Sequence, residues 1–559
     1  MAKMAFRKAQ NITASARLGK GRPGSVRTLP VISLPIAAQS FQLNGNAKSV
    51  SASFSEAVLR YSCPYTSSVV LSFGGMGYID MAINLYVTSY QRFNVRNHLF
   101  VGSDDRFCAV LGNYGAHCVR YFGVEASEES SSFFSKEFLT KTYLKMKVVK
   151  DAIALNVTVL LVDLDVVFLK NPLFYLGCDH CDLLIQTSAF EDYLNTGFYM
   201  MKPTKGSRRL LARTWSRIES GNYTKQNDQM IFNSVLADMR KRREIRPVVL
   251  DINAYPDGVM FFKEGGRVFR DDNPCHNCII VHNNGLVTKE AKRYRFKEYG
   301  LWAVDSGGYY SDPRRMYIAY ENPSTFESES ETRTQELRAL RTAFIIGHIL
   351  NRTVILPVFH KDNKLSSMLP FVDMVKLDAR LRDFYREHSF LSSPLVPHKT
   401  RNRVTAQFLL RSLTSIPAIG GSLSNDVIVK QFKSSALPVR ELVTWFHVTP
   451  AHVLKFHSLY IDILPSPAIQ NFTDIVDRVL RHKEAFRQLD IEANKAKPLA
   501  MTEQLFEAIA VPFLLMELIH TRKTTLKGKP QEDVDLIEEM LIFLKGDISF
   551  TKKRLCYSF

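Results

Sequence analysis

The first ordered pattern in the chain is an apolar run, Val69 to Phe73, closed by Gly74, Gly75 and Gly77. Such a run between turn residues reads as a buried strand. Met81, Leu85, Thr88 and Tyr90 then mark an imperfect helical stripe, and HLFVGSDD, from His98, reads as the next strand. Strand, loop, helix and strand in this order open a parallel α/β sheet. In FSKEFLTKTYLKMKVVKDAIALN, apolar residues recur at Leu139, Tyr143, Met146, Val149 and Ile153, a second helix, and the strand TVLLVD follows. LLIQTS and TGFYMMK read as strands, Arg208–Ser220 and Gln229–Met239 as helices, and CIIVHNN as a late strand entering a loop. The first α/β domain closes near Asp305. Beyond it Leu337, Leu340, Phe344 and Leu350 give another helical stripe, capped by Asn351 and followed by the strand TVILP. A second α/β layer is expected there, turning helical from about Thr502, with ESESETRTQE as a small charged loop. Residues 1–65 show little periodicity. The expected organisation is a disordered or stem-like tail over 1–65, an α/β domain over 66–305 and an α/β-to-helical domain over 306–559.

Composition narrows this picture. A chain of 559 residues is long enough for two or three domains of roughly 100–200 residues each. Hydrophobic and charged fractions of 46% and 23% are those of a globular protein. The formal charge of +18 suits an anionic partner such as a phosphorylated ligand, or a solvated basic surface. No Arg/aromatic module of the RNA-binding type is present, so nucleic acid is not the expected partner. No window reaches the ~18 apolar residues of a membrane span. The tail has no acidic residue before Glu56, a composition shared by stems and organellar transit peptides. Of eight cysteines, four form the pairs GCDHC and PCHNC, with His180, His276 and His282 close by. The pairs lie too far apart for a zinc ribbon, which favours disulfides over zinc. Five N-x-[ST] sequons start at Asn11, Asn156, Asn222, Asn351 and Asn471, compatible with a secretory route.

The candidate chemistry lies in LLVDLDVVFLKNP. On a strand, Asp163 and Asp165 would share one face while Leu164 turns to the core. If the strand ends at DLD, both carboxylates can instead reach one cation. Two carboxylates inside an apolar run are costly without a partner, and oxygen ligands suit Mg2+ or Mn2+. In parallel sheets ligands collect at the carboxyl ends of strands, so the pair points to a diphosphate held through a metal. DLDVV also fits a haloacid-dehalogenase phosphatase, with Asp163 as nucleophile. That class needs its strand near the start of the core, whereas here a full strand–helix–strand unit precedes it. Its later acidic pair would be Asp271–Asp272.

In order, VVLSFGGMGYIDMAINLY, VLLVDLDVVFLKNPLFYL, NTGFYMMKPT, NDQMIFNSVL and VHNNGLVTKEAKRYRFKEYGLW resemble the nucleotide-diphospho-sugar transferases of glycosyltransferase family 77. That group includes rhamnogalacturonan xylosyltransferases and extensin arabinosyltransferases. The resemblance covers residues 68–305 and implies a GT-A-like, nucleotide-sugar-binding sheet. It implies Mn2+ (or Mg2+) on Asp163, Asp165 and His282, although His282 also reads as a loop histidine or a zinc ligand beside Cys275 and Cys278. Ser72, Phe73, Gly74, Gly75 and Leu164 would border the nucleotide, and a plain strand-to-helix turn explains the glycines as well. Lys145 would face the phosphates, though it is one of five lysines on its helix, where solvation is the simpler account. Asn195, Thr196 and Gly197 would line the sugar pocket, with Asp228 and Gln229 near the reacting carbon. Asp228 also reads as a helix N-cap. Lys289, Lys292 and Arg293 would close over the diphosphate. The implied activity is retaining transfer of a sugar from UDP-xylose, UDP-arabinofuranose or UDP-galactose to a hydroxyl on a glycan or glycoprotein. The alternatives are the phosphatase and a non-catalytic carbohydrate-binding protein. The resemblance also implies a Golgi or secretory-lumen location and an N-terminal membrane anchor, which the chain does not show.

Overall fold

The computed structural model describes residues 53–493, apart from 122–135, 189–193, 222–225, 263–274, 276, 323–327, 362–363, 402–404, 414–425, 448, 458 and 460. The chain up to Ala485 is one compact unit, and Phe486 onward is a second, of which only the end of one helix is described. The helices expected beyond Thr502 lie outside the described residues.

The structure begins inside the expected tail. Helix α1 (Phe54–Tyr61) starts at a capping box in which Ser53 and Glu56 satisfy each other's backbone N–H groups. It packs Ala57 and Val58 into the core. Strand β1 (Ser68–Gly74) follows, with four consecutive buried residues. Helix α2 (Ile79–Leu85) runs into a π-turn over Tyr86–Gln91, which is why the expected stripe is imperfect. Strand β2 (His98–Gly102), helix α3 (Asp105–Asn113) and strand β3 (Cys118–Arg120) come next, with Cys108 and Cys118 joined as a disulfide. Helix α4 (Lys136–Ala154) leads into β4 (Thr158–Val162). Then come β5 (Val166–Phe168), β6 (Leu183–Thr187), β7 (Leu194–Met201), α5 (Lys205–Glu219), α6 (Asp228–Lys241) and β8 (Pro247–Leu250). Helix α7 (Gly258–Phe262), strand β9 (Ile280–His282) and helix α8 (Lys289–Glu298) complete this half.

Seven of these strands form one sheet in the order β3-β2-β1-β4-β7-β6-β8. All run the same way except β7, which is antiparallel to both neighbours. β5 and β9 leave the sheet and pair with each other antiparallel, Val166 opposite His282.

The second half opens with a strand that the apolar pattern did not mark, β10 (Tyr317–Tyr320), before helix α9 (Glu329–Ile349) and β11 (Thr353–Ile355). The expected charged loop is a correction: Ser328 caps α9, and the acidic stretch forms its first turns. Acidic side chains there complement the helix dipole, so charge alone did not mean loop. Asn351 takes a left-handed φ of +52° just past α9, as expected of a helix end. A hairpin of β12 (Phe359–Lys361) and β13 (Lys364–Ser366) precedes helix α10 (Met374–Leu381) and strand β14 (Tyr385–Arg386). Helix α11 (His398–Arg401), β15 (Thr405–Ser412), β16 (Val427–Phe432), β17 (Ala436–Leu437), α12 (Val439–Phe446), β18 (Val453–Phe456), β19 (Asp462–Ile463) and α13 (Pro467–Ala493) follow. The six-stranded sheet β14-β11-β10-β18-β15-β16 is parallel throughout. Among the described residues no helix is long and apolar enough to cross a membrane.

Candidate active site

β4 ends at Val162, so DLD lies in the turn between β4 and β5 rather than within a strand. Three elements aim its carboxylates. The Asp163 N–H donates to Gly197 O across β7 at 2.7 Å, and the Asn283 N–H donates to Asp165 O at 2.8 Å. The β5–β9 pairing thereby sets His282 beside Asp165, with Nε2 3.3 Å from Oδ1. Asp163, Asp165 and His282 each offer a ligand atom, all within 4.8 Å of one another. Among the described residues this is the one such group, and it contains no cysteine.

The His282 ring is oriented by a residue that the sequence pattern does not single out. Gln186 is fully buried on β6, and its Nε2 donates to Tyr255 O at 3.0 Å and Pro256 O at 3.1 Å. Two carbonyls on the amide nitrogen leave Oε1 as an acceptor, 2.7 Å from His282 Nδ1. Nδ1 therefore carries the proton, and Nε2 turns a lone pair toward the carboxylates, the usual arrangement of a metal-binding histidine. The signal for Gln186 was one polar residue in LLIQTS.

Gly197 stands where no side chain fits. A Cβ there would lie 2.5 Å from both Asp163 Oδ2 and His282 Cε1. An irregularity in β7 swings this residue inward: Ile185 pairs with Tyr199, but the next residue, Gln186, pairs with Asn195. Asn195 is buried and accepts from the Gly197 N–H at 2.8 Å, holding that bend.

Lys145 is not on the surface: its Nζ lies 3.0 Å from Asp163 and 3.6 Å from Asp228, inside a buried cluster. Burial opposes its charge, and Asp163 and Asp228 raise its pKa regardless. Lys292 Nζ lies 2.7 Å from Asp165 Oδ2. Burial would raise the Asp165 pKa, but Lys292 holds it well below the usual carboxylate range. Asp228 is pushed up by burial, against the pull of Lys145. It is not the N-cap of α6; Asn227 is, accepting from the Met230 N–H at 2.9 Å. Asp228 is left free to accept from Thr196 Oγ1 at 3.2 Å. Gln229 Oε1 accepts from the Thr196 N–H at 3.1 Å, tying α6 to β7.

In the first strand Ser72 is fully buried, with Oγ bonded to Val162 O and Tyr90 at 2.7 Å each, and Phe73 is half-buried and packs on the core. Gly74 abuts the DLD turn, where an added Cβ would meet Leu164 at 2.5 Å, while a Cβ on Gly75 would clash with Ser103. Lys289 reaches Gly77 O at 2.8 Å.

The GCDHC and PCHNC cysteines are joined within each pair, Cys178 to Cys181 and Cys275 to Cys278. His282 is thus turned to the aspartates and not to the cysteines. His276 and Asp271–Asp272 lie outside the described residues.

Can these residues hold a divalent cation? Two carboxylates and a lone-pair nitrogen converge, glycine clears the space between them, and Lys145 and Lys292 now balance their charge. A hard or borderline ion such as Mn2+ or Mg2+ fits that donor set.

Residues 94–296 match the nucleotide-diphospho-sugar transferase family. A UDP-D-xylose:L-fucose alpha-1,3-D-xylosyltransferase of Arabidopsis thaliana is 26% identical over 247 residues, 40% of this chain and 67% of that protein. The Arabidopsis arabinosyltransferase XEG113 is 22% identical over 405 residues, 60% of each chain. The UDP-galactose:fucoside alpha-3-galactosyltransferase of Dictyostelium discoideum is 23% identical over 206 residues, 32% of this chain and 30% of that protein. The chain thus spans about two thirds or less of these relatives. The matched segment contains the α/β sheet beyond β1 and the whole Asp163–Asp165–His282 group, so the chain's similarity to the nucleotide-diphospho-sugar transferases falls on the site itself.

Proposed function

We propose that the protein moves a sugar of the xylose, arabinose or galactose class from a UDP-sugar to a hydroxyl on a glycan or glycoprotein, with retention of configuration. The observation that carries this reading is the convergence of Asp163, Asp165 and His282, whose Nε2 is freed by Gln186. These three residues would hold Mn2+ or Mg2+, which when bound supplies positive charge against the departing diphosphate. Lys292 and Lys289 extend from α8 toward the same side and would bind the phosphates as UDP leaves. Asn195, Thr196 and Gly197 form the bend facing the carboxylates and would border the sugar. Asp228, held by Thr196 and kept close to Lys145, would be the carboxylate that meets the oxocarbenium-like centre. The paired cysteines fit an oxidising compartment, the Golgi or secretory lumen.

A panel of UDP-sugars, with UDP-xylose first, should give turnover that requires Mn2+ or Mg2+. Asp165→Ala should abolish it while circular dichroism stays unchanged, and retained turnover in that variant would sink the proposal. Trapping an acyl-phosphate on Asp163 would replace it with phosphatase chemistry.

A further inference from the structure

Helix α8 presents Lys289, Lys292 and Arg293 on one face, at helical spacings of three and four. Lys289 and Lys292 reach the glycine turn and Asp165, as described above. Arg293 divides its guanidinium between two carboxylates, Asp80 Oδ2 at 2.9 Å and Asp378 Oδ2 at 2.7 Å. Asp80 lies at the start of α2, directly after the glycine turn. Asp378 comes from α10 in the second half, and its Oδ1 accepts from the Tyr385 hydroxyl of β14 at 3.2 Å. The side chains of Arg293, Asp80 and Asp378 are 12%, 19% and 16% exposed, so the junction is mostly withdrawn from water. A helix of ten residues has little orientation of its own, and what it packs against decides where its lysines point.

We propose that Asp378 is a positioning residue of the donor site: through Arg293 it fixes the helix that carries Lys289 and Lys292, so the second half of the chain completes the phosphate-binding side. This rests on the UDP-sugar reading above. Charge and position predict opposite signs. If Asp378 acted only as a background charge, neutralising it would raise the local positive potential and tighten the binding of an anion. If it positions α8, neutralising it loosens the helix and weakens that binding.

The test is UDP binding to the full chain by calorimetry in the presence of Mn2+. Asp378→Asn should weaken UDP on the order of tenfold, the size of a typical coupling between sites. Donor KM should rise with it while acceptor KM holds, and Asp378→Glu should recover most of the loss. In a Lys292→Ala background the same substitution should change UDP affinity by less than about twofold, because the two act along one route. Unchanged or tighter UDP binding in Asp378→Asn overturns the inference, as does a full-sized loss in the Lys292→Ala background. If Asp378→Asn does not fold, Tyr385→Phe takes its place in the same cycle: weaker UDP binding that disappears in the Lys292→Ala background supports the inference, and unchanged or tighter binding overturns it. A wild-type chain that binds no UDP defeats the UDP-sugar reading itself, whereas a wild type that binds it beside an unaffected Asp378→Asn defeats only this inference.

Discussion

His282 can offer a lone pair to a metal only while its other ring nitrogen carries the proton, and the Gln186 amide enforces that state. The amide cannot flip without placing its oxygen against Tyr255 O and Pro256 O. Gln186→Leu is expected to remove this constraint and leave two buried carbonyls without their donor. Loss of such a supporting hydrogen bond typically weakens metal binding by about 10–100-fold. Electron paramagnetic resonance titration of Mn2+ would measure it, and an unaltered Mn2+ affinity would show that the ring is held some other way. At this scale the sequence was partly legible. Asp163, Asp165 and His282 stand out because carboxylates and a histidine interrupt apolar runs. Gln186 and the inward-facing Gly197 do not, because their importance depends on which strand lies opposite. Lys145 was hidden by its company: five lysines on a helix look alike until packing buries one. Ser72 looked available beside the glycines, yet its hydroxyl is used to pin β1 to β4.

At the scale of elements, β1, β2, β4, β6 and β7 were legible because buried strands read as short apolar runs. β10 was not: its segment, YIAY, is only four residues long, and nothing local marks it as the centre of a sheet. Neither was the β5–β9 pairing, which builds the site from segments far apart in sequence. β2 also carries a pH dependence. His98, buried at its start, donates from Nδ1 to Val95 O at 2.6 Å and accepts at Nε2 from the His117 N–H at 3.1 Å. A second ring proton would point at that donor. Burial first, and the neighbouring His117 next, lower the His98 pKa to about 4, against the Val95 bond. The unfolded chain, with an ordinary value of ~6.5, takes up the proton earlier. Stability from His98 is therefore complete above ~6.5 and is lost as pH falls toward the folded value, by an amount on the order of 3 kcal/mol. Urea unfolding at pH 7 and near pH 4.5 should show a smaller acid loss for His98→Gln than for wild type. Equal losses would mean that His98 is protonated in the fold without cost.

At the scale of the whole molecule, the boundary expected near Asp305 falls between two sheets, and one apolar cluster crosses it. The apolar cluster beneath the active site includes Phe100, Phe168, Phe198 and Trp302 from the first half, and also Tyr310, Tyr317, Ile355, Phe390 and Val453 from beyond it. Tyr310 and Tyr317 both pack on Phe390, with ring centroids 5.6 Å and 5.0 Å from it. Arg386, fully buried, donates to Tyr309 O, and Glu387 accepts from both the Tyr309 and Tyr310 hydroxyls. Apolar surface buried in the cluster that crosses the boundary is worth roughly 25 cal/mol per Å2, and a chain cut at Asp305 would return its share of that surface to water. Arg293 would lose Asp378 at the same time. A protein ending at Asp305 is therefore expected to be aggregation-prone, or to bind a hydrophobic dye and melt well below the full chain. Within the intact protein, both sheets should unfold in one calorimetric transition, since neither can release the other without exposing the shared cluster. Two resolved transitions, together with a soluble and UDP-binding 66–305 fragment, would show that the shared core is only a docking interface and that the first sheet carries its site unaided.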